Sequence, residues 1–221
     1  MFLPVVAAAL VLLSIGLYLA FFVAPIEAVM GFAQKIFYFH VPVAWVTFLS
    51  VILGAAFSIK YLLGRSEGSD RVARSAVEIA AVFGAMVLVT GPLWAYKAWG
   101  TPWVWDVRLT TFLVLELVLL SYLLIRAYAG PEGRKVAPGI AIFGVAQLPL
   151  VYFSVDLWRG PHPRVVTSGG LQPEMLAALV VCTLGFMLLY FALLRLRVEQ
   201  LRCEHLVDDL HLLVEDMEMN S

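Results

Sequence analysis

Two histidines, a run of indoles and an isolated Asp–Arg pair carry the chemistry of this 221-residue chain. His40 sits in Phe37-Tyr38-Phe39-His40-Val41-Pro42, and His162 in Arg159-Gly160-Pro161-His162-Pro163, where flanking prolines fix the local backbone. Neutral imidazole is a common metal ligand and the usual axial ligand of haem iron. A lone histidine of this kind reads first as a polar residue at a membrane interface; two, on one face and at loop positions able to converge, make a better case for a ligand pair. Between them runs Trp99-Gly100-Thr101-Pro102-Trp103-Val104-Trp105-Asp106-Val107-Arg108, with three of the six tryptophans inside seven residues. Two readings compete. One is an aromatic belt at headgroup level, which suits Trp94 and Tyr96. The other is a flat platform for a large planar ligand, haem or a quinone, whose rings stack on indole faces while Arg108 or Lys97 meets its carboxylates. On this reading Thr101 caps a short surface helix with Pro102 in its first turn.

The elements that must position these groups are membrane spans. The chain is 62% hydrophobic and 14% charged, with a mean hydropathy of +0.91, against about 45–50% and about 25% for soluble domains. A soluble enzyme core would leave much of that apolar surface in water. The net charge of −1 and the lack of a basic run exclude nucleic-acid binding. Cys182 and Cys203 form neither a CxxC pair nor a zinc spacing. About 20 apolar residues cover ~30 Å of hydrocarbon, and six stretches qualify: Pro4–Val23, Val41–Leu63, Ala76–Trp94, Thr110–Tyr128, Val136–Val155 and Met175–Leu196. The first lacks a basic leader region and is read as a span, not a signal peptide. The fifth is interrupted by Pro138, Gly144 and Pro149, which membrane helices tolerate when neighbours re-satisfy the backbone. The fold class is therefore all-α, a polytopic membrane protein of six transmembrane helices with short interfacial helices on the outer face.

Lysine and arginine set the orientation. Ten fall on one side (Lys60, Arg65, Arg71, Arg74, Arg126, Arg134, Lys135, Arg195, Arg197, Arg202) and five on the other (Lys35, Lys97, Arg108, Arg159, Arg164). The richer side is expected to be cytoplasmic. Both termini then lie inside, and residues 24–40, 95–109 and 156–174 form outer loops. Those loops hold both histidines and the indole run.

Taken together, Trp99-Gly100-x-x-Trp103-Val104-Trp105-Asp106-x-Arg108-Leu109-Thr110 resembles the tryptophan-rich (WWD) motif of haem-handling membrane proteins of cytochrome c biogenesis. It is most similar to that of the haem exporter protein C family, also called cytochrome c maturation protein C (CcmC). The Arg-Leu-Thr ending favours that branch over the larger haem lyases and synthetases, whose motif continues with Pro-Lys-Glu. His40-Val41-Pro42-x-x-Trp45 matches the family's first histidine segment, and Ser154-Val155-Asp156-x-Trp158 followed by His162 its second. Two departures thin the platform: Pro102 stands where the family commonly has another Trp, and Leu157 replaces the first of a usual Trp pair. The resemblance covers roughly residues 31–196. It implies that His40 and His162 are axial-type ligands of an outer-face haem and that Trp99, Trp103, Trp105 and Asp106 form its platform, beside Arg108. It further implies haem b as transported cargo, delivery to a periplasmic haem chaperone, and assembly with ABC transporter subunits and a small single-span helper in the inner membrane. The chain is then a carrier and not an enzyme, and no catalytic triad is visible. A b-type electron-carrier subunit would instead place histidines mid-span, and a permease would need polar residues at the midplane of several spans.

Three other features bear on the architecture. Residues 24–39 place Ile26, Val29, Met30, Ala33 and Phe37 at helical spacing with Glu27, Gln34 and Lys35 opposite, which predicts an interfacial helix that positions His40. Glu116 lies in the fourth span, either bonded to Gln147, lining a polar pocket, or functional in its own right. Glu78 pairs with Arg74 one turn away. Residues 1–196 form the membrane domain, and 197–221 a cytoplasmic amphipathic tail in which Leu196, Cys203, Leu206, Leu210, Leu213 and Met217 follow a heptad rhythm.

Overall fold

The computed structural model describes residues 2–28, 30–158, 162 and 170–219. Six helices account for the architecture: α1 (Phe2–Tyr18), α2 (Phe37–Gly64), α3 (Glu67–Trp99), α4 (Val107–Tyr128), α5 (Gly130–Trp158) and α6 (Pro173–Met219). A π-helical turn, Leu19–Val23, prolongs α1, and a 3₁₀ turn, Phe32–Ile36, leads into α2. All six helices are long and apolar enough to cross a membrane. The protein is a multi-pass membrane protein, as its six apolar stretches predict. Pro138 and Pro149 stay inside a continuous α5, and α6 runs unbroken beyond Leu196 to Met219.

Packing follows the membrane rule that helices approach through small residues, because lipid tails offer no hydrophobic drive between them. Helix α2 packs on α3, α5 and α6, α4 on α5 and α3, and α1 on α6. Between α1 and α6 a Cβ on Gly185 would lie 2.9 Å from Leu13 Cγ and 3.1 Å from its backbone N. Ser50 Oγ donates across the α2–α3 contact to Ala76 O at 2.6 Å.

One end of the bundle is held by ions. Asp70 (α3) accepts from Arg126 Nη1 and Nη2 (α4) at 2.9 Å each, and from Arg134 Nη2 (α5) at 3.2 Å; Arg134 also pairs with Glu67. The Glu78–Arg74 pair is present at 2.9 Å, and Glu78 additionally accepts from Arg197 Nε (α6) at 2.6 Å, so it joins two helices and does not merely decorate one.

The other end departs from expectation in two places. Residues 24–39 are not one interfacial helix. Gly31, at φ 57°, turns the chain after a Glu27–Gly31 bridge, and Phe37 already belongs to α2. Such a φ is easy for glycine and ends a regular helix. Of the polar face expected there, Gln34 and Lys35 are inside and Glu27 is half-buried. Lys35 is 2% and Gln34 5% exposed; Lys35 Nζ donates to Ala24 O at 2.5 Å and Pro25 O at 3.3 Å, and Gln34 Nε2 donates to Tyr38 Oη at 3.0 Å. Val29, counted in that expectation, lies outside the described residues. Thr101 and Pro102, for their part, start no helix. Gly100 (φ 75°) closes α3, Thr101 Oγ1 donates to Trp103 O at 3.1 Å, and the cap is Asp106, whose Oδ1 accepts from Leu109 N at 2.7 Å at the start of α4.

Glu116 is 5% exposed and packs on Gly84 of α3. Among the described residues no hydrogen bond joins it to Gln147, since Glu116 Oε2 and Gln147 Nε2 both lack partners.

Candidate functional site

At the end where α2, α4 and α6 begin and α3 and α5 finish, a cavity of about 500 Å³ opens among the helices. That lies within the roughly 300–1,000 Å³ of small-molecule and cofactor sites. Both candidate histidines line it. His40 comes from the first turn of α2 and His162 from the segment between α5 and α6. Its lining is largely apolar and includes Phe48, Val87, Phe112, Val151 and Val155 together with the indoles of Trp45, Trp94, Trp99 and Trp103.

His40 is docked on α3. Its Nδ1 lies 2.8 Å from Thr90 Oγ1, and a Cβ on Gly91 would come within 3.3 Å of its Cε1. Its Nε2 makes no hydrogen bond among the described residues. His162 is held differently. Arg108 Nη1 lies 3.5 Å from its Nδ1, and its ring faces Trp94 with centroids 6.3 Å apart and planes at 32°. Trp94 in turn meets Trp99 edge-on at 5.3 Å. Residues 159–161 and 163–169, which include the prolines flanking His162, lie outside the described residues.

Of the other sequence candidates, Trp99, Trp103 and Arg108 line the cavity. Trp105 does not; it meets Trp103 edge-on at 5.6 Å and is 78% exposed. Asp106 does not line it either. Its Oδ1 caps α4, and its Oδ2 is buried with no hydrogen bond among the described residues. Trp94, assigned to the belt on sequence grounds, is a wall of the cavity, whereas Tyr96, assigned with it, is 64% exposed on the outer surface. Two contributors escaped the sequence reading. Gly91 clears space for the His40 ring, and Thr90 touches it. The signal available was the Thr90-Gly91-Pro92 interruption of an otherwise apolar span.

The donor set can be tested against possible ligands. Among the described residues no three His, Cys, Asp or Glu side chains gather as a metal-holding group. Two imidazoles are too few to hold a bare ion, but they suffice where a porphyrin supplies the equatorial nitrogens. The apolar walls suit its rings, the indoles suit its π-faces, and Arg108 can meet a carboxylate with its forked donors. The residues present fit haem.

Comparison with known proteins shows the family. The family described as "Heme exporter protein C" matches residues 1–210. Among curated relatives, the Heme exporter protein C of Bradyrhizobium diazoefficiens is 36% identical over 193 residues, covering 85% of this chain and 73% of the relative. That of Haemophilus influenzae is 33% identical over 202 residues, with 87% and 82% covered. The "Putative cytochrome c biosynthesis ccmC-like mitochondrial protein" of Marchantia polymorpha is 34% identical over 160 residues, with 72% and 68% covered. With the match running through all six helices and both histidine segments, the chain belongs to the haem exporter protein C family.

Proposed function

We propose that this membrane protein handles haem for cytochrome c biogenesis by holding haem b in the His40–His162 cavity and passing it to a soluble haem chaperone. The carrying observation is that two imidazoles from separate segments line one indole-walled apolar cavity that also contains Arg108. His40 and His162 would hold the iron, Trp99 and Trp103 would flank the porphyrin, and Arg108 would meet a propionate. Asp106 anchors the rim by capping α4, and the exposed Trp105 forms its outer edge, where cargo leaves.

Haem bound for another protein must be kept out of the lipid yet remain open at one side. A ligand borne on an inter-helix segment detaches more readily than one locked within a bundle. His162 is such a ligand, and His40, docked on α3, is the steadier one. The role is carriage, not catalysis.

The lysine and arginine asymmetry, ten against five, supports a cavity facing the periplasm in the inner membrane, with both termini cytoplasmic. Membership of the family supports work within a haem export complex, and we assign its partners as ABC transporter subunits, a small single-span helper and the periplasmic chaperone. The deciding experiment is an absorption spectrum of the detergent-purified protein beside His40→Ala and His162→Ala. Loss of the Soret band in either variant supports the assignment, and an unchanged band in both overturns it.

A further inference from the structure

We infer that Thr90 is a positioning residue for His40: its hydroxyl accepts the Nδ1 proton of the imidazole and so leaves the Nε2 lone pair for iron. The inference rests on the haem reading above and deepens it. Thr90 Oγ1 lies 2.8 Å from Met86 O and 3.5 Å from Val87 O in its own helix, as well as 2.8 Å from His40 Nδ1. A hydroxyl has one proton to give. Back-bonding to the carbonyl four residues earlier is the habit of threonine in a helix, and here it uses that proton. Towards His40 the oxygen can then only accept, so Nδ1 is the protonated nitrogen.

The neighbouring contact fixes the ring's other edge. His40 Cε1 sits where a Cβ on Gly91 would stand at 3.3 Å. The imidazole therefore rests on α3 by its Nδ1–Cε1 edge, oriented by a hydrogen bond and by the space a glycine leaves. Ligating histidines generally donate their second N–H to a partner that fixes tautomer and orientation, and a carboxylate in that place raises ligand basicity. A neutral hydroxyl orients without that added basicity. Such a bond suits iron that must later be released.

The test uses full-length protein in detergent, titrated with haemin. Thr90→Val keeps the shape and removes the acceptor, and Thr90→Ser restores it. Thr90→Val is expected to weaken haemin binding about 10–100-fold, the usual loss for a partner of this kind. It should also shift the Fe–N(His) stretching band of the reduced protein, and Thr90→Ser should return both to wild type. A packing defect alone would not be rescued in that band by serine. Should the valine variant fail to fold, Thr90→Ala serves in its place with the same expectation. Wild-type affinity and an unmoved band in the variant lacking the hydroxyl, with His40→Ala losing haemin, overturn this inference and leave the haem reading standing. Retention of wild-type binding by both His40→Ala and His162→Ala overturns both.

Discussion

The imidazole of His162 lies against the indole of Trp94, centroids 6.3 Å apart and planes 32° apart, although one comes from α3 and the other from the segment before α6. The contact makes Trp94 a support for a candidate ligand as well as a wall. Trp94→Ala is expected to weaken haemin binding about two- to tenfold, the worth of one aromatic contact. Tyr96→Ala, two residues on but outside the cavity, should leave it unchanged. Equal loss in both variants, read by Soret titration, would return Trp94 to the belt.

Arg108 should matter through the carboxylates of the ligand. Losing a charged hydrogen bond costs about 1.5–3 kcal/mol, so Arg108→Ala is expected to weaken haemin binding roughly tenfold or more. The same substitution should leave binding of haemin dimethyl ester nearly unaltered. Titrating both ligands separates these effects; an identical loss for the ester would show that Arg108 acts by packing.

At the opposite end, Asp70 is the hub of an ion network in which its side chain is 3% and that of Arg126 6% exposed. Removing one partner of a buried pair leaves a stranded charge, at about 3–5 kcal/mol. Asp70→Asn should lower thermal stability in detergent by that order without altering the haem spectrum of the folded fraction. Joint replacement, Asp70→Leu with Arg126→Met, should recover most of the loss. A double variant as unstable as the single one would refute the account.

The α1–α6 contact depends on the bare face of Gly185. Gly185→Val would press a branched side chain on Leu13, including its backbone, at an expected cost of about 1–3 kcal/mol for overpacking. The measurement is protease sensitivity of the α1–α2 connection together with the melting temperature. Wild-type behaviour in both would mean that α1 is not held there.

Much of this was legible in the sequence, for reasons that differ by element. The spans could be read because crossing hydrocarbon demands a long apolar run whatever the neighbours do. His40 and His162 could be paired because, of the four histidines, these two fall in segments that the charge pattern puts on one side of the membrane. Faces were harder. The pattern of residues 24–39 has helical spacing, yet the turn at Gly31 folds Lys35 back onto the carbonyls of residues 24 and 25, so a cation that periodicity assigned to the surface is buried. Trp94 was misassigned because a belt indole and a cavity indole share the same depth, and only the helix's rotation separates them. Thr90 was invisible because its role depends on a partner fifty residues away.

The sixth helix carries a mechanical corollary. At about 1.5 Å per residue, its 47 residues form a strut of roughly 70 Å, more than twice the thickness of the hydrocarbon slab. Met175, near one end, lines the cavity. No proline interrupts its backbone ladder after the first residue, so one unbroken helix joins the wall of the cavity to the acidic far end of the chain.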